Sequence, residues 1–503
     1  MHLILNGQAL TISDLVSVAR SGANVSIGPR AVEATRASRA IVEAALGDGL
    51  AHYGINTGFG SLSRQRIAAE DLRTLQRNLV RSHAAGVGAP MEAEVVRGMM
   101  LLLAASLSRG HSGARPVLAE TLAAMLNAGI TPVVPETGSV GASGDLAPLA
   151  HVAVALIGEG PVDHRGQRTT AGAAMAAAGL SPVVLEAKEG LALINGTHLM
   201  ATLGALACED ASVLMGWAFG AAAMSIDASR ATDSFLDGRI HEARKQPGQI
   251  AAAAELRRWM AGTEIVGSHA ENDPRVQDPY SLRCMPQVMG AAWDCLGYVK
   301  GCVKRELGAV TDNPLVFTEG DGDAIVSGGN FHGMPLAIPL DAMALAVTHL
   351  AGISERRVFW MTAAFDSESH LKPYLAAGQP GLSSGLMIAQ YTAAACCNEM
   401  ITLCTPASVS NVGTSAGMED YNSFGPRSAA KVRRALQLAR SVVAIELLTA
   451  AAGLDVHRPL KSGRRVEDLH ARVRSVVRPL TEDRPPAPDI AAIEGLMRTA
   501  LGI

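Results

Sequence analysis

The sequence predicts a mainly α protein, a long-helix bundle with a smaller N-terminal domain. Three observations carry that prediction. Apolar residues make up 48% of the 503-residue chain and aromatics only 4%, so Ala, Leu, Val and Met must fill the core. Ala-rich sequence favours helix and lets helices pack closely. Helical spacing persists over 148–158, 197–230, 285–307, 335–363, 384–403 and 427–453, and a helix at the centre of a bundle is apolar on all sides.

Residues 1–30 read as a strand-and-turn segment, and 31–47 and 70–82 have helical spacing. Between them Tyr53-Gly54-Ile55-Asn56-Thr57-Gly58-Phe59-Gly60 is too Gly-rich for a helix interior and reads as a shaped loop. Residues 91–129 form a helical hairpin broken near Gly110-His111-Ser112-Gly113, and 131–147 an irregular loop. The stretch 161–188 is a small excursion of turns and strands, and 480–490 a Pro-rich loop before a last short helix. Two domains are expected: 1–195 with the Gly-rich loops, and 196–503 with the long helices and the C-terminal helical region.

A net charge of -4 gives no basic footprint for nucleic acid. Seven cysteines, an odd number without a C-x-x-C pair, read as reduced thiols in a cytoplasmic protein. The start MHLILNGQALTISD lacks the basic region, apolar core and cleavage site of a signal peptide. The most membrane-like stretches, 190–208 and 213–226, read better as buried helices: the first contains Asn195, Thr197 and His198, and the second is too short to span. The 14 histidines show no H-E-x-x-H or paired ligand spacing, so no metal is expected.

The most informative stretch is Gly138-Ser139-Val140-Gly141-Ala142-Ser143-Gly144-Asp145-Leu146-Ala147-Pro148. A Gly-rich turn before a helix is common, and on the triplet alone that is the reading. The chemistry available is nonetheless specific. The Gly144 amide can attack the Ala142 carbonyl carbon and close a five-membered ring, and only glycine leaves room for that approach. Ser143 can lose its hydroxyl as water. The product, 4-methylidene-imidazol-5-one, is an electrophile that no unmodified side chain provides.

This loop resembles the cofactor-forming loop of the histidine, phenylalanine and tyrosine ammonia-lyases. YGINTGFG at 53–60, GLALINGT at 190–197, QDPYSLRC at 277–284, TDNPLVF at 311–317 and SGGNFH at 327–332 also look like motifs of that family, in its order. The resemblance runs from about residue 30 to 460. It implies a helical bundle assembled as a homotetramer with active sites shared between subunits, a cofactor made from Ala142-Ser143-Gly144, and no metal or dissociable cofactor.

The same resemblance assigns roles. Tyr53 matches the catalytic base; a phenol is a weak base unless positive charge or hydrogen bonds stabilise its anion. Tyr280 matches an active-site tyrosine near the cofactor. Arg283 matches the residue that grips the substrate carboxylate with two parallel donors, and lies on the face of Tyr280 if 280–283 is helical. Asn195 and Gln277 match polar residues that position the cofactor or the amine, and Phe331 an aromatic wall. His83, in SHAAGVG, and Glu419, in SAGMED, match residues of the histidine enzymes that contact the imidazole. A carboxylate suits an imidazole N–H and suits a phenyl ring poorly. The implied reaction is L-histidine to trans-urocanate and ammonia.

Two departures qualify the substrate. Met418 stands before Glu419 where the histidine enzymes usually carry Gln, and Lys372 in HLKPYL stands where the family more often shows Pro. Lys372 is either solvated or turned inward toward Glu419. Alternatives within the family are a modified, ergothioneine-like imidazole, an aryl amino acid, or an aminomutase. Outside it, Gly381-Leu-Ser383-Ser-Gly385 and Gly413-Thr-Ser415-Ala-Gly417 fit the serine-hydrolase pattern, but TPASVSNV at 405–412 is a poor strand for it. An inactive scaffold is opposed by the intact Ala142-Ser143-Gly144, Tyr53 and Arg283.

Overall fold

The computed structural model describes residues 2–320, 324–379 and 381–502; Met1 and Ile503, the ends of the two expected domains, lie outside them. The protein is mainly α, as the sequence predicts. Its long helices are His198–Ala228, Met285–Glu306, Met334–Ala363, Met387–Leu403 and Gly425–Val456. Two compact units emerge, each discontinuous in sequence. The first comprises Met1–Leu206, Lys300–Leu340 and Ala407–Ala430, the second Ala207–Val299, Asp341–Pro406 and Lys431–Ile503.

In the first unit His2–Leu5 pairs parallel with Asn24–Ile27. The helix between them, Ile12–Ser21, corrects the expectation of strand and turn alone. Its N-terminus is a capping box, Thr11 accepting from the Asp14 N–H at 3.1 Å while Asp14 accepts from the Thr11 N–H at 2.9 Å. The hairpin Ala93–Leu107 and Pro116–Asn127 breaks where expected, and Pro116 opens its second helix. The segment 131–147 is less irregular than read. Ile130–Pro132 joins Pro161–His164 and Gln167–Thr170 in an antiparallel sheet, and Pro135–Thr137 pairs with Val87–Pro90.

The second unit holds polar groups inside its helices. Arg357 and Glu446 are fully buried and paired, Arg357 Nη2 donating to Glu446 Oε2 at 2.8 Å. Ser225 and Ser354 donate to the same carboxylate, so its desolvation is met by hydrogen bonds. Three helices, His198–Ala228, Met334–Ala363 and Gly425–Val456, are long and apolar enough to cross a membrane. Yet 72%, 56% and 78% of their most apolar windows are buried within the protein, so helix packing already uses that surface.

Candidate active site

Within the first unit a cavity of about 720 Å³ is lined by Tyr53, His83, Ser143, Asn195, Phe331, Met418 and Glu419, among others. Seven of the residues singled out from sequence thus meet in one place although they span 53 to 419. The cavity floor is the 138–148 loop, and its shape follows from glycine. Gly141 and Gly144 have φ of +67° and +73°. A Cβ on Gly144 would lie 2.2 Å from the Gly196 carbonyl oxygen, because Gly144 and Gly196 form a parallel bridge in which the Asp145 N–H donates to that oxygen at 2.7 Å.

Side chains fasten the turn from several sides. Asn195 Nδ2 donates to the Ser143 carbonyl at 2.8 Å, while Asn195 Oδ1 is buried without a partner. The Ser423 hydroxyl donates to the Gly141 carbonyl at 2.9 Å. Beneath the loop Asp145 is buried, one oxygen accepting from Ser139 Oγ at 3.0 Å, the other from the N–H groups of Leu199 and Met200 at 2.9 and 3.1 Å. Those amides open the helix His198–Ala228, a natural seat for a carboxylate. Burial nevertheless outweighs the three donors and pushes the Asp145 carboxyl up to about 7. Close by, burial and the Arg109 charge push the His198 imidazole down to about 3, so it is neutral.

The cavity walls carry the reactive groups. Ser143 Oγ donates to Glu419 Oε1 at 2.9 Å, and Thr414 Oγ1 donates to Glu419 Oε2 at 2.8 Å. The Tyr53 hydroxyl accepts from the Gly60 N–H at 3.3 Å, closing its own loop. His83 Nδ1 lies 2.9 Å from the Leu79 carbonyl, which can only accept, so this nitrogen carries the proton and Nε2 is left as an acceptor in the neutral ring.

Gln277, Tyr280 and Arg283 belong to the second unit and do not line this cavity. They form a cluster of their own. The helical turn Tyr280–Arg283 brings the guanidinium 4.6 Å above the Tyr280 ring, as spacing anticipated, and Arg283 Nη2 donates to Gln277 Oε1 at 2.9 Å. Tyr280 is 69% exposed. Lys372 is exposed in the same unit, and both oxygens of Glu419 are held by hydroxyls rather than a lysine.

Sequence reading missed Asp145 and Thr414. An acidic residue abutting the apolar run LAPLAHVAVAL was the available signal for the first; none marks the second. Among the described residues neither hydrolase-like serine follows a strand: Ser383 donates to Asp483 at 2.5 Å in the second unit, and Ser415 opens a short turn, Ser415–Gly417.

A family model described as aromatic amino acid lyase matches residues 10–475. A histidine ammonia-lyase of Anaeromyxobacter sp. (strain K) is 50% identical over 503 residues, covering 98% of each chain. Among solved structures, histidine ammonia-lyase from Trypanosoma cruzi superposes with a TM-score of 0.90 at 39% identity, over 99% of this chain and 93% of that one. Tyrosine aminomutase from Streptomyces globisporus gives a TM-score of 0.91 at 34% identity, over 99% and 97%.

Proposed function

The chain belongs to the aromatic amino acid lyase family, and from that premise we propose that it eliminates ammonia from L-histidine to give trans-urocanate. The observation that carries this reading is the cavity in which Ser143, Tyr53, His83 and Glu419 meet. The fold alone does not separate lyase from aminomutase, since both superpose well. The 50% identity to a relative named histidine ammonia-lyase, against 34% to the tyrosine aminomutase, favours the lyase.

The triad Ala142-Ser143-Gly144 fits the self-made 4-methylidene-imidazol-5-one. Only glycine is tolerated at 144, where a Cβ would strike Gly196, and the Asn195 amide holds the Ser143 carbonyl with its own oxygen left for an incoming donor. When formed, the group supplies an electrophilic methylidene carbon. The protein's remaining work is binding and proton transfer. Glu419 accepts from the N–H of a substrate imidazole, while His83 contacts the ring from the cavity wall and Phe331 packs against it. Tyr53 faces the same space as the base for the β-proton, its oxygen oriented by the Gly60 N–H.

A homotetramer completes the site in this reading. Each subunit's Gln277, Tyr280 and Arg283 serve a neighbour's cavity, Arg283 taking the substrate carboxylate and Gln277 and Tyr280 the region of the amine and cofactor. The 69% exposure of Tyr280, large for a tyrosine stacked on an arginine, supports a surface awaiting a partner. The seven free cysteines fit a reducing cytoplasm.

The test is the ultraviolet absorbance of the protein mixed with L-histidine, with Ser143→Ala as control. Urocanate should accumulate with the wild type and not with the variant. No urocanate from either protein would overturn the histidine assignment, and equal rates would overturn the role of Ser143.

A further inference from the structure

We propose that Glu419 works twice through one oxygen: first as the acid that carries off the Ser143 hydroxyl while the loop matures, then as the acceptor for the substrate ring. This rests on the reading that Ala142-Ser143-Gly144 closes into the methylidene-imidazolone.

Ser143 Oγ and Glu419 Oε1 are 2.9 Å apart, although 276 residues separate them in sequence. Glu419 is held for this contact from behind. Thr414 Oγ1 occupies its other oxygen at 2.8 Å, and the Thr414 N–H donates to the Glu419 carbonyl at 2.8 Å across an antiparallel bridge. The turn joining them runs through Ser415, Ala416 and Gly417 with φ of +50°, +52° and +88°. Two consecutive side-chain-bearing residues in the left-handed region are rare, and such strain persists where the surroundings enforce one geometry. Asp145, the other carboxyl group at the loop, is committed elsewhere: its oxygens take the Ser139 hydroxyl and the Leu199 and Met200 amides.

The chemistry needs an acid at that point. Ring closure joins Gly144 N to the Ala142 carbonyl carbon, and the displaced oxygen leaves as water with the amide hydrogens of Gly144 and Ser143. The second loss breaks the Ser143 Cβ–Oγ bond. The Ser143 Cα proton passes to solvent, its electron pair forms the Cα=Cβ double bond, and the oxygen departs with the bonding pair. Hydroxide is a poor leaving group, so this oxygen must gain a proton as it goes. Glu419 takes up a proton from solvent and delivers it through Oε1, reversing the direction of the hydrogen bond in the structure. It is left as the carboxylate, the form that accepts. One water leaves and no oxidant is required. With the hydroxyl gone, Oε1 has lost its partner while Thr414 still orients Oε2. A directed acceptor now faces the cavity, and maturation itself has unmasked it.

The experiment compares wild type, Glu419→Gln and Glu419→Ala by mass spectrometry of the proteolytic peptide spanning 142–144, with circular dichroism melts as a folding control. The wild-type peptide should lack two waters. In both variants, folded like the wild type, most of the peptide should keep the Ser143 hydroxyl and be at least one water heavier. Formate added to the Ala variant should restore the second loss, which a merely structural role for Glu419 would not allow. Glu419→Gln preserves shape, so it stands as the test if the Ala variant folds poorly. Complete loss of two waters in Glu419→Gln, at the wild-type rate, overturns the proposal. A wild-type peptide retaining both waters would instead defeat the loop-closure reading, and this inference with it.

Discussion

Gly144→Ala is the sharpest perturbation the fold offers. The new Cβ would sit 2.2, 2.4 and 2.7 Å from the oxygen, carbon and Cα of Gly196, all backbone atoms that no rotamer change can move aside. The φ of +73° adds about 1–2 kcal/mol for an L residue. Relief requires opening the Gly144–Gly196 bridge, which strips the Asp145 N–H of its 2.7 Å acceptor and leaves a buried donor unpaired at about 1–3 kcal/mol. Together these amount to roughly 2–5 kcal/mol. Even the low end lowers a thermal midpoint by several degrees, since about 1 kcal/mol moves a domain of 150–250 residues by about 2–4 °C. The control is Gly216→Ala, inside the helix His198–Ala228 with no heavy atom within 4 Å of its added Cβ. There alanine should leave the midpoint unchanged or raise it. Calorimetric melting reads stability, and peptide mass reads whether the loop still loses water. The reasoning is refuted if Gly144→Ala melts with the wild type and its loop matures.

Arg283→Lys keeps the charge but not the fork that donates to Gln277 and the Asp278 carbonyl at 2.9 Å each. Its KM for histidine should rise about tenfold to a hundredfold, the worth of one charged hydrogen bond, and steady-state kinetics showing an unchanged KM would remove Arg283 from the substrate. Asp145 predicts a pH dependence of stability. Its folded pKa of about 7 lies above the ordinary 3.8, so between those values the folded chain keeps a proton that the unfolded chain has released. Stability from this group is therefore full below about pH 4 and declines until about pH 7, by a few kcal/mol at about 1.4 per unit. Asp145→Asn cannot ionise, so its melting temperature relative to wild type should climb from pH 5 to pH 8; a constant difference would contradict the assignment.

The helices legible in the sequence were those buried on many sides. Ala93–Leu107 announces itself because almost every position is apolar, and Gly425–Val456 because its second half is a long apolar run. The helices missed carry many polar side chains. Arg464–Val476 buries only Val466, Leu469 and Val473 beneath a heavily charged surface, and Pro247–Met260 is broken up by Gln, Glu and Arg. Their terminal signals were present in part: Pro247 opens one, and Thr11 with Asp14 caps the helix Ile12–Ser21. Local rules therefore reached further than periodicity did, because a cap is made by residues three apart and a buried face by the whole fold.

The site divides along the same line. The chemistry of Ala142-Ser143-Gly144 was readable because ring closure is local, and Gly144 now has a spatial reason in Gly196, a residue 52 positions later that no spacing rule connects to it. The Ser143–Glu419 contact could be reached only through resemblance, since 276 residues intervene. Resemblance in turn raised the question of Lys372 and Met418. Thr414 holds one oxygen of Glu419, Lys372 is exposed, and Met418, itself 65% exposed, lines the cavity with Glu419. Met418 thus changes the wall of the cavity, while Thr414 still orients the neighbouring carboxylate that would read an imidazole.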